Sequence, residues 1–370
     1  MKQITIIGGG LAGLVSSILL SRKGFEVSLF EKRDYPYHKV CGEYISNEVR
    51  PFLERHSLFP DNYSPSSIKT FQFTSVKGKS FELPLDLGGF GISRYTLDLF
   101  LYEKALASGV CIETKTSITD VSFQGDHFVL NTNTTSFKSQ LVIGAYGKSG
   151  VLDKKLDRPF THQKSPFIGV KYHVKTDFPD DRIALHNFPS GYCGVSAIEK
   201  DKYNVCYLGS RDMLRKYGSI EAMEATLVKK NPYLKDIFNN SEFLFDKPEV
   251  INAFSFAPKK SVEQHVLMSG DTAGLITPLC GNGMAMAIHS AKILSDCIEK
   301  YFVDGHLQRS VLEQAYSQQW NDTFKKRLKV GRYTQKLFGS SVTSEVAVWL
   351  MKNSKAFAYQ IMKNTHGQPF

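Results

Sequence analysis

Ile4-Thr5-Ile6-Ile7-Gly8-Gly9-Gly10-Leu11-Ala12-Gly13 opens the chain with a β-branched run that breaks into glycine. Such a run reads as a strand, and residues 11–22 are apolar enough to form a helix packed on a sheet. Gly24 ends that helix, and residues 25–30 (Phe-Glu-Val-Ser-Leu-Phe) read as the next strand. Strand, turn, helix and strand make a βαβ unit, which predicts a parallel sheet. Gly8, Gly10 and Gly13 fill the spacing G-x-G-x-x-G at the strand-to-helix junction. The first glycine suits a tight turn, the second lets the backbone approach a pyrophosphate, and the third lets helix and strand pack closely. Leu11 and Ala12 then lie at the helix N-terminus, whose dipole faces the phosphate charge. Glu31, at the end of the second strand, can accept both hydroxyls of an adenosine ribose and would repel a 2′-phosphate. This set predicts dinucleotide binding but does not separate FAD from NAD.

The rest of the composition narrows the class. The chain has 370 residues, which suggests two domains. Its 42% hydrophobic and 22% charged positions are those of a globular protein. No stretch approaches the roughly 18 uninterrupted apolar residues of a membrane span, and no secretory signal is evident. The six cysteines are scattered, with no C-x-x-C pair, so no metal site is expected and a reducing cytoplasm is. The formal charge of +10 is uneven: residues 301–370 carry ten Lys/Arg against four acids. Much of the excess lies in Lys325, Lys326, Arg327, Lys329, Arg332 and Lys336. A solvated helix face is the plainer reading of that run. It leaves peripheral contact with anionic lipid open, and no nucleic-acid motif accompanies it.

A second glycine cluster decides the cofactor. Ser269-Gly270-Asp271-Thr272-Ala273-Gly274 follows an apolar strand, and Gly281-Asn282-Gly283-Met284 opens a helix. This resembles the G-D motif of FAD-dependent oxidoreductases of the aromatic-hydroxylase and geranylgeranyl-reductase group. The resemblance implies that Asp271 holds a ribityl hydroxyl and that the loop turns backbone N–H groups toward the flavin pyrimidine. A helix N-terminus there would stabilise the negative charge of reduced flavin. Ile92-Ser93-Arg94 with Asp98 resembles the segment whose arginine meets the FAD phosphate or ribityl region. Lys39-Val40-Cys41-Gly42-Glu43 resembles the K-x-C-G segment of geranylgeranyl reductases, which lies beside the flavin. Lys32 and Ile118 are also expected at the cofactor. The resemblance covers residues 1 to about 295 and is vague in the middle of the chain.

Three departures bear on activity. Tyr146 stands where aromatic hydroxylases have the aspartate of a G-A-D-G segment, which weakens the expectation of direct NADPH reduction. Pro189 and Tyr192 match part of the segment that shapes the isoprenoid pocket of geranylgeranyl reductases, but Gly194, Ser196 and Ala197 replace its Trp, Phe and Pro. The W-x-W-x-I-P segment of flavin halogenases is missing, since the two tryptophans are Trp320 and Trp349.

The fold expectation is α/β with an α+β insert: a Rossmann-like FAD-binding domain of the glutathione-reductase type, an inserted, mostly antiparallel substrate sheet, and a helical C-terminus. Residues 1–66, 91–155 and 263–300 are assigned to the first, 67–90 and 156–262 to the second, and 301–370 to the third. Residues 167–175 are expected to alternate between faces, and 254–256 to close the second sheet. The function expected is that of an FAD-dependent oxidoreductase acting on a hydrophobic small molecule, with an external donor, NAD(P)H or a reduced carrier. A reductase or dehydrogenase is favoured over a single-component monooxygenase. A non-catalytic lipid carrier on the same scaffold, as Rab GDP-dissociation inhibitors resemble flavoproteins, is the remote alternative. Cys41 is the first side chain to test as a proton donor or substrate contact and Tyr192 the second, although an inert thiol and a packed tyrosine are the plainer readings.

Overall fold

The strand β1 (Lys2–Ile7), the helix α1 (Leu11–Arg22) and the strand β2 (Val27–Phe30) form the βαβ unit in parallel register, Ile4 opposite Val27 and Ile7 opposite Phe30. The computed structural model describes residues 2–162, 165–252, 254–335, 340–354 and 367–370. β1 lies at the centre of its sheet, with the strand Ser136–Gly144 parallel on its other side and Val266–Met268 parallel beyond that. Cys111–Glu113 extends β2 on the far edge. The hairpin Asp120–Gln124/His127–Asn131 pairs onto Ser136–Gly144. Ten consecutive residues of α1, Leu11 to Leu20, are buried, because the sheet, the helix Arg94–Ala107 and the helix Gly283–Tyr301 enclose it. A helix buried all round needs no polar face.

The second sheet is a separate set of strands, antiparallel except where Arg182–Phe188 runs parallel to Ser66–Thr74. Its order begins at the short edge strand Glu242–Phe243 and ends at Tyr44–Ser46. That last strand pairs with Ser80–Gly91, so residues 44–46 belong to this sheet and not to the cofactor domain to which 1–66 were assigned. The strand Phe167–Lys175 does not alternate: seven of its nine residues are buried without a break. The helices Arg211–Tyr217, Ile220–Thr226 and Pro232–Asn240 cover its outer face through Leu214, Met223, Leu234 and Ile237, so both faces are dry. Residues 254–256 form no strand; the pairing segment is Glu249–Ile251, and Phe254 and Phe256 turn into an apolar cluster instead.

The C-terminal region is integral to the fold. The helix Arg309–Gln335 buries Leu312, Tyr316, Trp320, Phe324 and Leu328, a stripe at four-residue spacing, against the cofactor-domain core. The Tyr316 hydroxyl donates to the Met268 carbonyl at 2.6 Å. Fully burying such side chains stabilises by about 1.5–3 kcal/mol each, so this helix is no loose appendage. The helix Ser341–Asn353 packs Val348 and Met351 onto the second sheet. Lys336, one of the basic residues noted above, lies outside the described residues.

Candidate cofactor and substrate cleft

A cleft with a cavity volume of about 510 Å³ runs between the two sheets. At one end the glycine turn shapes it. Gly8 has φ +105°, and a Cβ there would lie 2.5 Å from the Ala145 carbonyl oxygen. A Cβ on Gly13 would overlap the Gly8 carbonyl oxygen, which is the close packing that the third glycine was expected to allow. Gly10 caps α1 without a side chain, leaving the helix N-terminus open to the cleft.

Two cations stand over that N-terminus. Built on Gly10, a Cβ would find Arg94 Nη2 at 3.6 Å and Lys39 Nζ at 3.8 Å. Arg94 forks onto Asp98 with two bonds of 2.7 Å, and Lys39 reaches the same carboxylate at 2.8 Å. Burial opposes the Asp98 charge, but the Arg94 and Lys39 charges hold its carboxyl below the usual range. Burial pulls the Lys39 ammonium down against the attraction of Asp98. Two cations sharing the Asp98 carboxylate beside a helix N-terminus make an arrangement that suits an anion. Lys39 was not singled out from the sequence, although the K-x-C-G segment contained it.

Glu31 is 5% exposed, and its Oε2 accepts the Gly9 N–H at 2.7 Å while Oε1 accepts the Arg33 N–H at 3.0 Å. The carboxylate is thereby aimed along the cleft beside the glycine turn. Further in, burial raises the Asp271 carboxyl against the pull of Lys148, Lys259 and Arg94. Lys259 clamps the two loops around it, donating to the carbonyls of Lys148 and Asp271 at 3.0 and 2.9 Å, and burial brings its ammonium down to about 8.

Lys32, Gly42, Gly270, Gly281, Asn282, Gly283 and Met284 line the same cleft with Gly8, Gly10, Leu11, Ala12, Glu31, Arg94 and Asp271. Two predicted residues do not. Gly13 packs beneath the turn, and Ile118 is buried in the apolar core of the first sheet, where an aliphatic side chain at this position is screened from the cleft. Cys41 lines the cleft half-buried, its thiol 3.2 Å from the Met284 sulfur. Tyr146 donates to Asp153 at 3.0 Å, and Asp153 is paired at 2.8 Å with the buried Arg158.

A buried ionic knot underlies this end and went unread in the sequence. Glu43 holds Lys171 at 2.5 Å and His173 at 2.6 Å, and also accepts the Arg94 N–H at 2.7 Å. Burial disfavours its charge, yet the Lys171 ammonium and His173 bring its carboxyl down to about 2. These bonds fix Glu43 at φ +53°, the left-handed region that a glutamate rarely adopts. Glu43 thus ties the second sheet, through Lys171 and His173, to the start of the helix that carries Arg94.

The other end of the cleft is apolar. Phe71, Phe73, Leu83, Leu185, Leu208, Phe254, Phe256, Leu275 and Met351 line it. Tyr192 is 3% exposed there; its hydroxyl accepts the Leu279 N–H at 3.0 Å and donates to Gln335 Oε1 at 3.3 Å. Both ends belong to one cavity, so a bound cofactor ring and an apolar molecule can meet in it.

The residues present fit FAD: an open helix N-terminus with two cations for a diphosphate, a buried carboxylate at ribose position, and a second carboxylate deeper in. A family profile described as an NAD(P)-binding Rossmann-like domain matches residues 6–59. A geranylgeranyl bacteriochlorophyll reductase-like protein from Thermoplasma acidophilum superposes with a TM-score of 0.80, covering 100% of this chain and 96% of that one at 16% identity. A flavin-dependent halogenase superposes at 0.77 with 21% identity over 89% of this chain, which spans 64% of that protein. The fold is that of flavin-dependent reductases and halogenases. In sequence, the chain is 23% identical over 341 residues to a digeranylgeranylglycerophospholipid reductase of Methanosarcina acetivorans, 87% of this chain and 81% of the relative. Among the described residues, no group of three or more His, Cys, Asp or Glu could hold a metal ion.

Proposed function

We propose that the protein is an FAD-dependent reductase or dehydrogenase acting on a hydrophobic small molecule. The observation that carries this reading is the continuity of the charged, glycine-built end of the cleft with the apolar end in one cavity. Bound FAD supplies hydride transfer. The chain's part is to bind and orient. Arg94, Lys39 and the α1 N-terminus neutralise the diphosphate, Glu31 takes the ribose hydroxyls, and Asp271 takes a hydroxyl of the ribityl chain. The loop at Gly281, Asn282 and Gly283 lies at the N-terminus of the helix Gly283–Tyr301, where the dipole favours negative charge on the ring. The phenylalanines and leucines of the apolar end exclude water and hold the substrate. Cys41, which lines the same cleft, is the candidate for handing over or receiving a proton. The relatives named as reductases support this reading, as does the missing W-x-W-x-I-P segment against halogenation.

Anaerobic reduction of the FAD-loaded protein by NADPH, NADH or dithionite, followed by addition of unsaturated lipid and polyketide-like acceptors, tests it. The expected result is acceptor-dependent return of the oxidised flavin absorption and a product saturated by two hydrogens. A product that instead takes up label from isotopic oxygen would select the monooxygenase reading. A protein unable to retain FAD would end both.

A further inference from the structure

The helix Ser341–Asn353 has two apolar faces, and the cleft accounts for one of them. Val348 (1% exposed) and Met351 (9%) face the apolar end of the cleft. On the other side Val342 (73%), Val346 (50%), Trp349 (62%) and Leu350 (37%) face outward. Their spacing of four, three and one is that of a single helical stripe. A soluble surface seldom gathers large exposed apolar groups, tryptophan included, on little more than three turns of helix. The helix is held at one edge, where Glu345 pairs with Lys79 at 3.0 Å and Ser344 accepts the Val76 N–H at 3.4 Å. Those bonds leave the outward stripe untouched.

Charge identifies what the stripe meets. Residues 324–354 carry seven Lys/Arg against one acid, Glu345, which is already paired. Lys325, Lys326 and Lys329 on the preceding helix, and Lys352 beside the stripe, are exposed. An apolar face with an exposed tryptophan, in a stretch of sequence with an excess of lysine, suits the boundary between anionic headgroups and acyl chains. Among the described residues no helix is long and apolar enough to cross a membrane, so the contact is with a surface. We infer that the helix Ser341–Asn353 docks the protein on an anionic lipid surface, its outer face in the lipid and its inner face walling the substrate cavity. A membrane-dissolved substrate then reaches the apolar end of the cleft beside this helix without passing through water. The docking stands on the helix alone; the route for the substrate rests on the function proposed above.

The two tryptophans make the test direct. Trp320 is buried at 3% exposure against the core and Trp349 is exposed. With the Trp320→Phe protein, phosphatidylglycerol vesicles should carry the protein down on sedimentation and shift its Trp349 emission to the blue. Val346→Ser with Leu350→Ser should abolish both effects. Lys325→Ala, Lys326→Ala and Lys352→Ala should each weaken binding about fivefold, and salt should weaken it further. FAD retention, read by flavin absorption, should be unchanged in these variants, which separates lost docking from lost fold or lost function. No sedimentation and no blue shift with anionic vesicles would overturn the inference. Equal binding to phosphatidylcholine vesicles would overturn the charge assignment. A blue shift that follows protein concentration without lipid would assign the face to a second copy of the chain.

Discussion

The two ends of the cleft are built by opposite rules. At the cofactor end, single atoms decide: a Cβ on Gly13 has no room, and Asp98 is shared between Arg94 and Lys39 by bonds within 0.1 Å of each other in length. At the apolar end, nine or more side chains from distant parts of the chain share the lining. Charges and close backbone contacts are directional and short-ranged, whereas apolar packing is additive and forgiving. The first end should therefore fail abruptly and the second gradually.

Glu43→Gln should produce the largest loss, about 3–5 kcal/mol of unfolding free energy in urea, because it strands the Lys171 ammonium in a buried site. The pH dependence has a defined sign. The folded carboxyl lies near 2, below its ordinary value of 4.5, so its contribution is fully present above the ordinary value and is lost as pH falls toward 2. Wild-type stability should drop across that window, and the variant's should drop less. An unchanged acid slope would remove Glu43 from the account.

Gly13→Ala comes next, costing about 1–3 kcal/mol through overpacking and releasing FAD, seen as loss of flavin absorption after gel filtration. Arg94→Lys should keep the fold but weaken FAD binding roughly tenfold, since one ammonium cannot reproduce the two-bonded fork on Asp98. Phe256→Leu should do least: under about 1.5 kcal/mol in stability, with FAD binding intact and the KM for a bulky acceptor moved more than kcat. A Phe256→Leu protein that lost its flavin would erase the distinction between the two ends.

The same contrast explains what could be read in the sequence. β1, the glycine turn, Glu31, Arg94 and the Gly270–Asp271 pair are contiguous or fixed in spacing, because a turn or a helix N-terminus is a local object. The Glu43–Lys171–His173 knot joins residues some 130 positions apart, and nothing local marks it. Phe167–Lys175 was misread for a related reason. Alternation reports one wet face, and helices further along the chain had covered it. In the C-terminal region the charge is conspicuous, while the buried stripe from Leu312 to Leu328 is spread through polar residues.

The order in which the strands pair has its own consequence for synthesis. β1 emerges well before its neighbour Ser136–Gly144 and that strand's own partner Val266–Met268, which follow only after long stretches of the other sheet. The central sheet is therefore unfinished until Met268 has left the ribosome. Neither sheet can be excised or grafted as a cassette, because the chain passes back and forth between them. Ile4, Ile6 and Leu29, buried in the finished core, lack their full packing for that interval.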